Sequence, residues 1–115
     1  DNDNPKITGI ISYSEVNNKK KWETIEGSGF AYHQGTYADG ENPFIAGSAR
    51  KIKSRKRNSK LSYVAYQPNI PEDGDYAVYV SYKTIKKSVD DAEYIVFHKG
   101  QETHFRVNQR MGGGT

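Results

Sequence analysis

The sequence predicts an all-β domain: an antiparallel β-sandwich of jelly-roll-like type whose sheet reads as incomplete at its C-terminal end. Three observations carry this. The run Tyr76-Ala77-Val78-Tyr79-Val80-Ser81-Tyr82 follows the turn Pro71-Glu72-Asp73-Gly74 and alternates, with Tyr76, Val78, Val80 and Tyr82 on one face and Ala77, Tyr79 and Ser81 on the other. That period of two belongs to a strand with one face on a core. Two similar runs follow at residues 92–98 and 103–109, separated by short turns, as in antiparallel sheets. No stretch carries the apolar period of an amphipathic helix, and there is no internal repeat or heptad.

The elements follow in order. Residues 1–6, opening Asp1-Asn2-Asp3-Asn4-Pro5, read as a flexible leader, and the lack of an initiator Met or apolar signal region reads as a processed or recombinant fragment. Residues 6–13 give a first strand with Ile7, Ile10 and Ile11 as its apolar content, and Asn17-Asn18-Lys19-Lys20-Lys21 a turn. A second strand spans 22–26 and ends at Gly27-Ser28-Gly29. From 34 to 47 no period of either kind holds, which predicts a long loop, ordered by Tyr37 and Phe44 with Tyr32 just before it. A basic loop insertion occupies about 48–60. Alternation resumes over 61–67, with Leu61, Tyr63 and Ala65 opposing Ser62, Val64 and Tyr66. Pro68 and Pro71 bracket the link to the strand at 76–82, and three lysines mark the connection at 83–89. In the strand at 92–98, Tyr94, Val96 and His98 share one face and Ile95 and Phe97 the other. Gly100 turns the chain, and 103–109 returns with Phe105 and Val107 facing in. The end, Met111-Gly112-Gly113-Gly114-Thr115, reads as flexible where a strand should close the sheet.

Composition sets limits. At 115 residues the chain suits a single domain, over 7–115. Its apolar fraction is 34%, against roughly 45–50% for an average globular chain. Nine Tyr, four Phe and one Trp make a core of few but large side chains plausible, thin rather than absent. Cysteine is missing, which removes disulfides, thiol catalysis and cysteine zinc sites but identifies no compartment. No apolar run reaches the about 18 residues of a membrane-spanning helix.

The net charge of +3 conceals an asymmetry. Residues 50–60 hold seven of the seventeen basic residues (Arg50, Lys51, Lys53, Arg55, Lys56, Arg57 and Lys60) and no acid. The rest of the chain has ten basic and fourteen acidic side chains, a net of −4. Such a patch attracts polyanions, but with no interleaved aromatics any nucleic-acid binding would be nonspecific and salt-sensitive. A solvated insertion open to trypsin-like proteases is the plainer reading.

Catalytic signatures are missing, and no enzyme is expected. Gly27-Ser28-Gly29 lacks the strand–turn–helix setting of a nucleophile elbow. Asp73/Asp75 and Asp90/Asp91 sit in turn sequences, which Asp favours for its own backbone bonds. His98 and His104 flank the Gly100 turn as candidate cross-strand neighbours with Glu102 nearby, but two hairpin histidines do not complete a zinc site. His33, in the irregular region, reads as a surface or ligand-facing group. Asp39-Gly40-Glu41-Asn42 offers oxygens to calcium without the twelve-residue EF-hand pattern, so an ordinary turn is favoured and no cofactor is expected. Sugar binding would use rings that stack on pyranose faces and amides that read hydroxyls. Tyr32, Tyr37, Phe44 and Trp22 are the candidate platform, with Asn42, Asn108 and Gln109 as polar partners. Trp22, the one tryptophan, suits a core position as well as a platform.

Over residues 22–115 the pattern resembles the golvesin C-terminal-like domain, also described as the xanthan-lyase carbohydrate-binding-like domain, of large secreted bacterial proteins. Pro68, Ile70-Pro71, Gly74-Asp75-Tyr76-Ala77-Val78-Tyr79-Val80, Ala92-Glu93-Tyr94-Ile95-Val96-Phe97-His98 and Val107-Asn108-Gln109 carry the resemblance, with Gly-Gly-Gly-Thr like the segment before an aromatic strand. It implies a β-sandwich accessory domain of extracellular enzymes or surface proteins. Members of that family continue with a Trp-containing strand and at least one more. Here the sheet would be completed by a longer parent chain or by a second polypeptide joining after Thr115, and the basic segment is an insertion relative to the pattern. The expectation is a noncatalytic, secreted or cell-surface module targeting a polysaccharide or envelope glycan, with no specific nucleic acid and no membrane insertion. The alternative is a structural or protein-interaction domain whose open sheet edge takes strands from another polypeptide.

Overall fold

The computed structural model describes residues 10–27, 29, 31–33, 36, 38–41, 44–56 and 60–111. Among them there are eight strands and no helix, and every strand pair is antiparallel, so the all-β, antiparallel class holds. The sheets are small and none closes: four pairs of two strands, the pieces of a β-sandwich. By density of contact the chain divides into two compact units, Asp1–Val78 and Tyr79–Thr115.

The first unit is a nested ribbon. Strand β1 (Ile10–Val16) pairs with β6 (Tyr63–Pro68), β2 (Glu23–Ile25) with β5 (Ala49–Lys51), and β3 (Ala31–His33) with β4 (Phe44–Ala46). Each pair encloses the next, as when one long antiparallel hairpin folds over on itself to wind a jelly roll. A register shift between Ile10 and Ser12 puts a bulge in β1, opposite the end of β6 where Pro68 pairs with Ile10. Proline is tolerated at that strand end, where the ladder stops. Tyr13 lies opposite Tyr66, and their rings meet at 4.9 Å with a 47° tilt, an aromatic cross-strand contact worth about 0.5–1.5 kcal/mol beyond its area.

Two local devices hold the ribbon. Asn17 Oδ1 accepts the Trp22 N–H at 2.8 Å, while Asn18 donates its backbone N–H to Ser62 Oγ at 2.8 Å and its side-chain amide to Leu61 O at 2.6 Å. Ser62 Oγ donates to Lys20 O, so the β1–β2 loop is strapped to the approach of β6. Gly29 donates its N–H to Gly47 O at 2.9 Å and lies so close that a Cβ there would stand 2.2 Å from Ser48 O. The glycine is a requirement of packing.

The second unit is a hairpin with a strap. Strands β7 (Ala92–His98) and β8 (Gln101–Val107) pair over their full length. The loop between them is two residues, Lys99 (φ 47°) and Gly100 (φ 71°), both left-handed as a type I′ turn demands. Ala92, Tyr94, Val96, Phe105 and Val107 are half-buried, and Tyr94 stacks on Phe105 at 5.4 Å and 12°. Residues 82–90 are tied to 108–111 by side chains. Tyr82 donates to Asn108 O and Met111 O, Thr84 to Gln109 O, and Arg110 to Ser88 O, at 2.6–3.2 Å.

Several expectations change. The strand expected at 76–82 makes no ladder: residues 75–85 carry no strand pairing, and Tyr76, Val78 and Tyr79 are exposed. Alternation makes a sequence fit for a sheet, but a strand needs a neighbour's backbone to bond, and no described strand pairs with this segment. The loop expected at 34–47 contains β4, because Phe44-Ile45-Ala46, too short to show a period, finds its partner in β3. The basic loop expected from 48 contains β5 instead of starting there. Among the described residues no apolar side chain is fully buried, so the core consists of half-buried rings and aliphatics.

Candidate functional site

Two members of the predicted platform, Tyr32 and Phe44, lie in β3 and β4. The register sets Tyr32 opposite Ile45 and His33 opposite Phe44, which puts Tyr32 and Phe44 on neighbouring rungs of one ladder rather than on the same rung. Tyr37 and Asn42, in the connection itself, lie outside the described residues. The Asp39-Gly40 pair forms a turn: Glu41 donates its N–H to Ala38 O at 3.1 Å, and Glu41 Oε2 accepts the Ala38 N–H at 3.2 Å. The Glu41 carboxylate is therefore engaged by its own turn.

The other members of the platform are built into the fold. Trp22 is half-buried, and its Nε1 is buried with no partner among the described residues. An indole N–H turned inward cannot reach a sugar hydroxyl. Asn108 Oδ1 accepts the Arg110 N–H at 3.0 Å. Gln109 donates its N–H to Val89 O at 2.9 Å and its amide to the Tyr94 hydroxyl at 3.0 Å, and its carbonyl takes the Thr84 hydroxyl. Burial raises the Tyr94 pKa, and the Gln109 bond works against that rise. Gln109 is a fastening point of the second unit.

The basic segment is not uniform. Arg50 lies in β5 and forks onto Glu15 of β1, Nε to Oε1 at 2.5 Å and Nη2 to Oε2 at 2.7 Å, while Nη1 donates to Thr24 Oγ1. Tyr13 donates its hydroxyl to the same carboxylate. The Arg50 bond holds Glu15 below the usual carboxylate range, and Glu15 in turn raises Arg50; burial is the first cause of the rise at Tyr13. The pair is largely shielded, with side chains 23% and 15% exposed. Lys51 meets Glu23 at 3.5 Å across the β2–β5 pair. No local pattern signals this fork, because Glu15 and Arg50 are 35 residues apart.

The hairpin separates the two histidines. His98 lies opposite Gln101 and shares a hydrogen bond of 2.7 Å with Thr103 Oγ1, whereas His104 lies opposite Ile95, on the other face. They are not cross-strand neighbours. His104 stands between two carboxylates, Nε2 at 3.0 Å from Glu102 and Nδ1 at 3.3 Å from Glu93, and these raise its pKa, Glu102 first. The acids flank the imidazole on opposite sides and so do not converge on one point. Among the described residues no cluster of three or more His, Asp or Glu could hold a metal ion. The same face shows Ile95 and Phe97, 43% and 73% exposed, a mixed apolar and charged surface legible in the alternation with Tyr94 and Val96.

The described residues form small antiparallel strand pairs whose side-chain clusters fasten their own strands and turns. The family model of the Golvesin C-terminal domain matches residues 28–115, and the chain belongs to that family. No curated protein and no solved structure matches it.

Proposed function

We propose that the chain is a noncatalytic, carbohydrate-binding-like module that holds a secreted or cell-surface bacterial protein on a polysaccharide or envelope glycan. The observation that carries this reading is the supply of open rings: Tyr79 is 90% exposed and Phe97 73%, with Tyr63, Tyr66 and Tyr76 near half. A ring left in water in a folded chain is available to stack on the apolar face of a pyranose. Tyr79 and Phe97 would supply the stacking rings, and Tyr32, Tyr37, Phe44 and Asn42, at and beside the β3–β4 connection, are the further candidates that the sequence offers. Tethering raises the local concentration of substrate for a partner enzyme without chemistry of its own, so no cofactor is required.

The test is retention of the folded chain on a panel of immobilised bacterial and plant polysaccharides. Retention on at least one is expected, and Tyr79→Ala, at the most open ring, should weaken it about tenfold, the worth of one stacked ring. A folded chain retained by none of them would end this reading.

A second reading, a protein-interaction domain whose sheet is completed by strands from another polypeptide, is favoured by one observation. Residues 76–82 have a strand's alternation and no ladder partner. An extended segment of a partner could add there by main-chain bonds. Native mass spectrometry distinguishes the readings: a stable complex with a different polypeptide favours this one, and the 13.0 kDa chain without one favours the first.

A further inference from the structure

The free edge of β8 matches a second copy of itself. In a two-residue hairpin the residues flanking the turn, here His98 and Gln101, form a hydrogen-bonded pair, and such pairs recur at every second residue. The backbone N–H and C=O groups of Gln101, Thr103, Phe105 and Val107 therefore face β7. Those of Glu102, His104 and Arg106 face outward, along an edge that no described strand covers. An isolated two-stranded sheet is marginal in water, and further strands stabilise it.

We propose that this edge is the interface of a homodimer in which β8 pairs antiparallel with β8 of a second copy, centred on His104. That centre is selected by the edge itself. It sets His104 against His104, and Glu102 of each copy against Arg106 of the other, so every outward-facing residue has a hydrogen-bonding counterpart. It also creates two opposite-charge cross-strand pairs related by a two-fold axis, the self-complementary contact that a symmetric dimer requires. Within its own chain Arg106 makes no ion pair among the described residues. The outer edge of β7 offers no such match, since centring it on Ile95 would set Glu93 against Phe97. The result is a four-stranded sheet, β7-β8-β8-β7, with Ile95 and Phe97 of both copies on one face. This inference is independent of the glycan reading.

Sedimentation equilibrium over a wide concentration range is the test. A species of twice the 13.0 kDa chain mass is expected to grow with concentration. Glu102→Arg and Arg106→Glu should each weaken it about tenfold, because each turns two attractive pairs into repulsive ones. Mixing the two variants should restore association, since the hetero-pair regains both opposite-charge contacts. Amide exchange in the wild-type chain needs no variant: protection at Glu102, His104 and Arg106 should rise with concentration more steeply than that at Thr103 and Phe105, which already face β7. A wild-type chain that stays at 13.0 kDa throughout, or concentration-independent exchange at those three amides, overturns the proposal. So does a different polypeptide found on this edge.

Discussion

Arg50 and Glu15 meet in a fork that fastens β5 to β1, and the bond is sensitive to acid in a defined direction. Glu15 titrates below its ordinary value of 4.5, so the unfolded chain takes up the proton first. The stabilisation is present above about pH 4.5 and is lost as pH falls through the lower, folded value. Arg50→Lys keeps the charge but loses the fork. It should cost about 1.5–3 kcal/mol at neutral pH and reduce the acid-induced fall in melting temperature relative to the wild type. Melting curves at several pH values check both effects, and acid profiles that run parallel in the two proteins would refute the assignment. The same residue marks a limit of reading a chain by composition. Arg50 opens a run of basic residues and looks solvated, yet its partner lies beyond any local pattern.

At the scale of elements, the turn between β7 and β8 sets Lys99 in the left-handed region, where a side chain with a Cβ is strained and asparagine is tolerated. Lys99→Asn should raise stability by about 1 kcal/mol, read from the urea midpoint, because Asn-Gly is the favoured type I′ pair; an unchanged or lower midpoint would count against this turn. How far each element could be read from sequence depended on its length and its neighbour. β7 shows at once, since seven residues of alternation around Tyr94 and Val96 suffice to fix a period. β4 and β5 have three residues each, shorter than any detectable period, and they exist because β3 and β2 lie beside them. Residues 76–82 are the reverse case: the pattern is strong and the partner missing. The candidate platform was legible as residue types alone, Trp22 already suiting a core position as well, whereas the fastening role of Gln109 depends on bonds that spacing does not encode.

For the whole molecule, family membership over residues 28–115 and the split at Val78/Tyr79 describe different things, shared sequence pattern in the first and density of contact in the second. Limited trypsin digestion tests the organisation of the first unit. The first cuts should fall after Lys53 or Lys56 rather than after Arg50 or Lys51, which lie in the β2–β5 ladder. The two fragments should then co-elute, since β1 and β6 bridge the cut; early cleavage at Arg50, or fragments that separate under native conditions, would contradict the nested pairing. That nesting also bears on how the chain folds. Closing β1 on β6 from a fully open chain would confine the long intervening segment at a large entropic cost. With β3 and β4 joined first, β2 and β5 are already near, and with those joined the outermost strands are near as well. Each ladder shortens the loop that the next must close, so a topology of distant pairings can assemble by a succession of local steps, zipping outward from the hairpin at its centre.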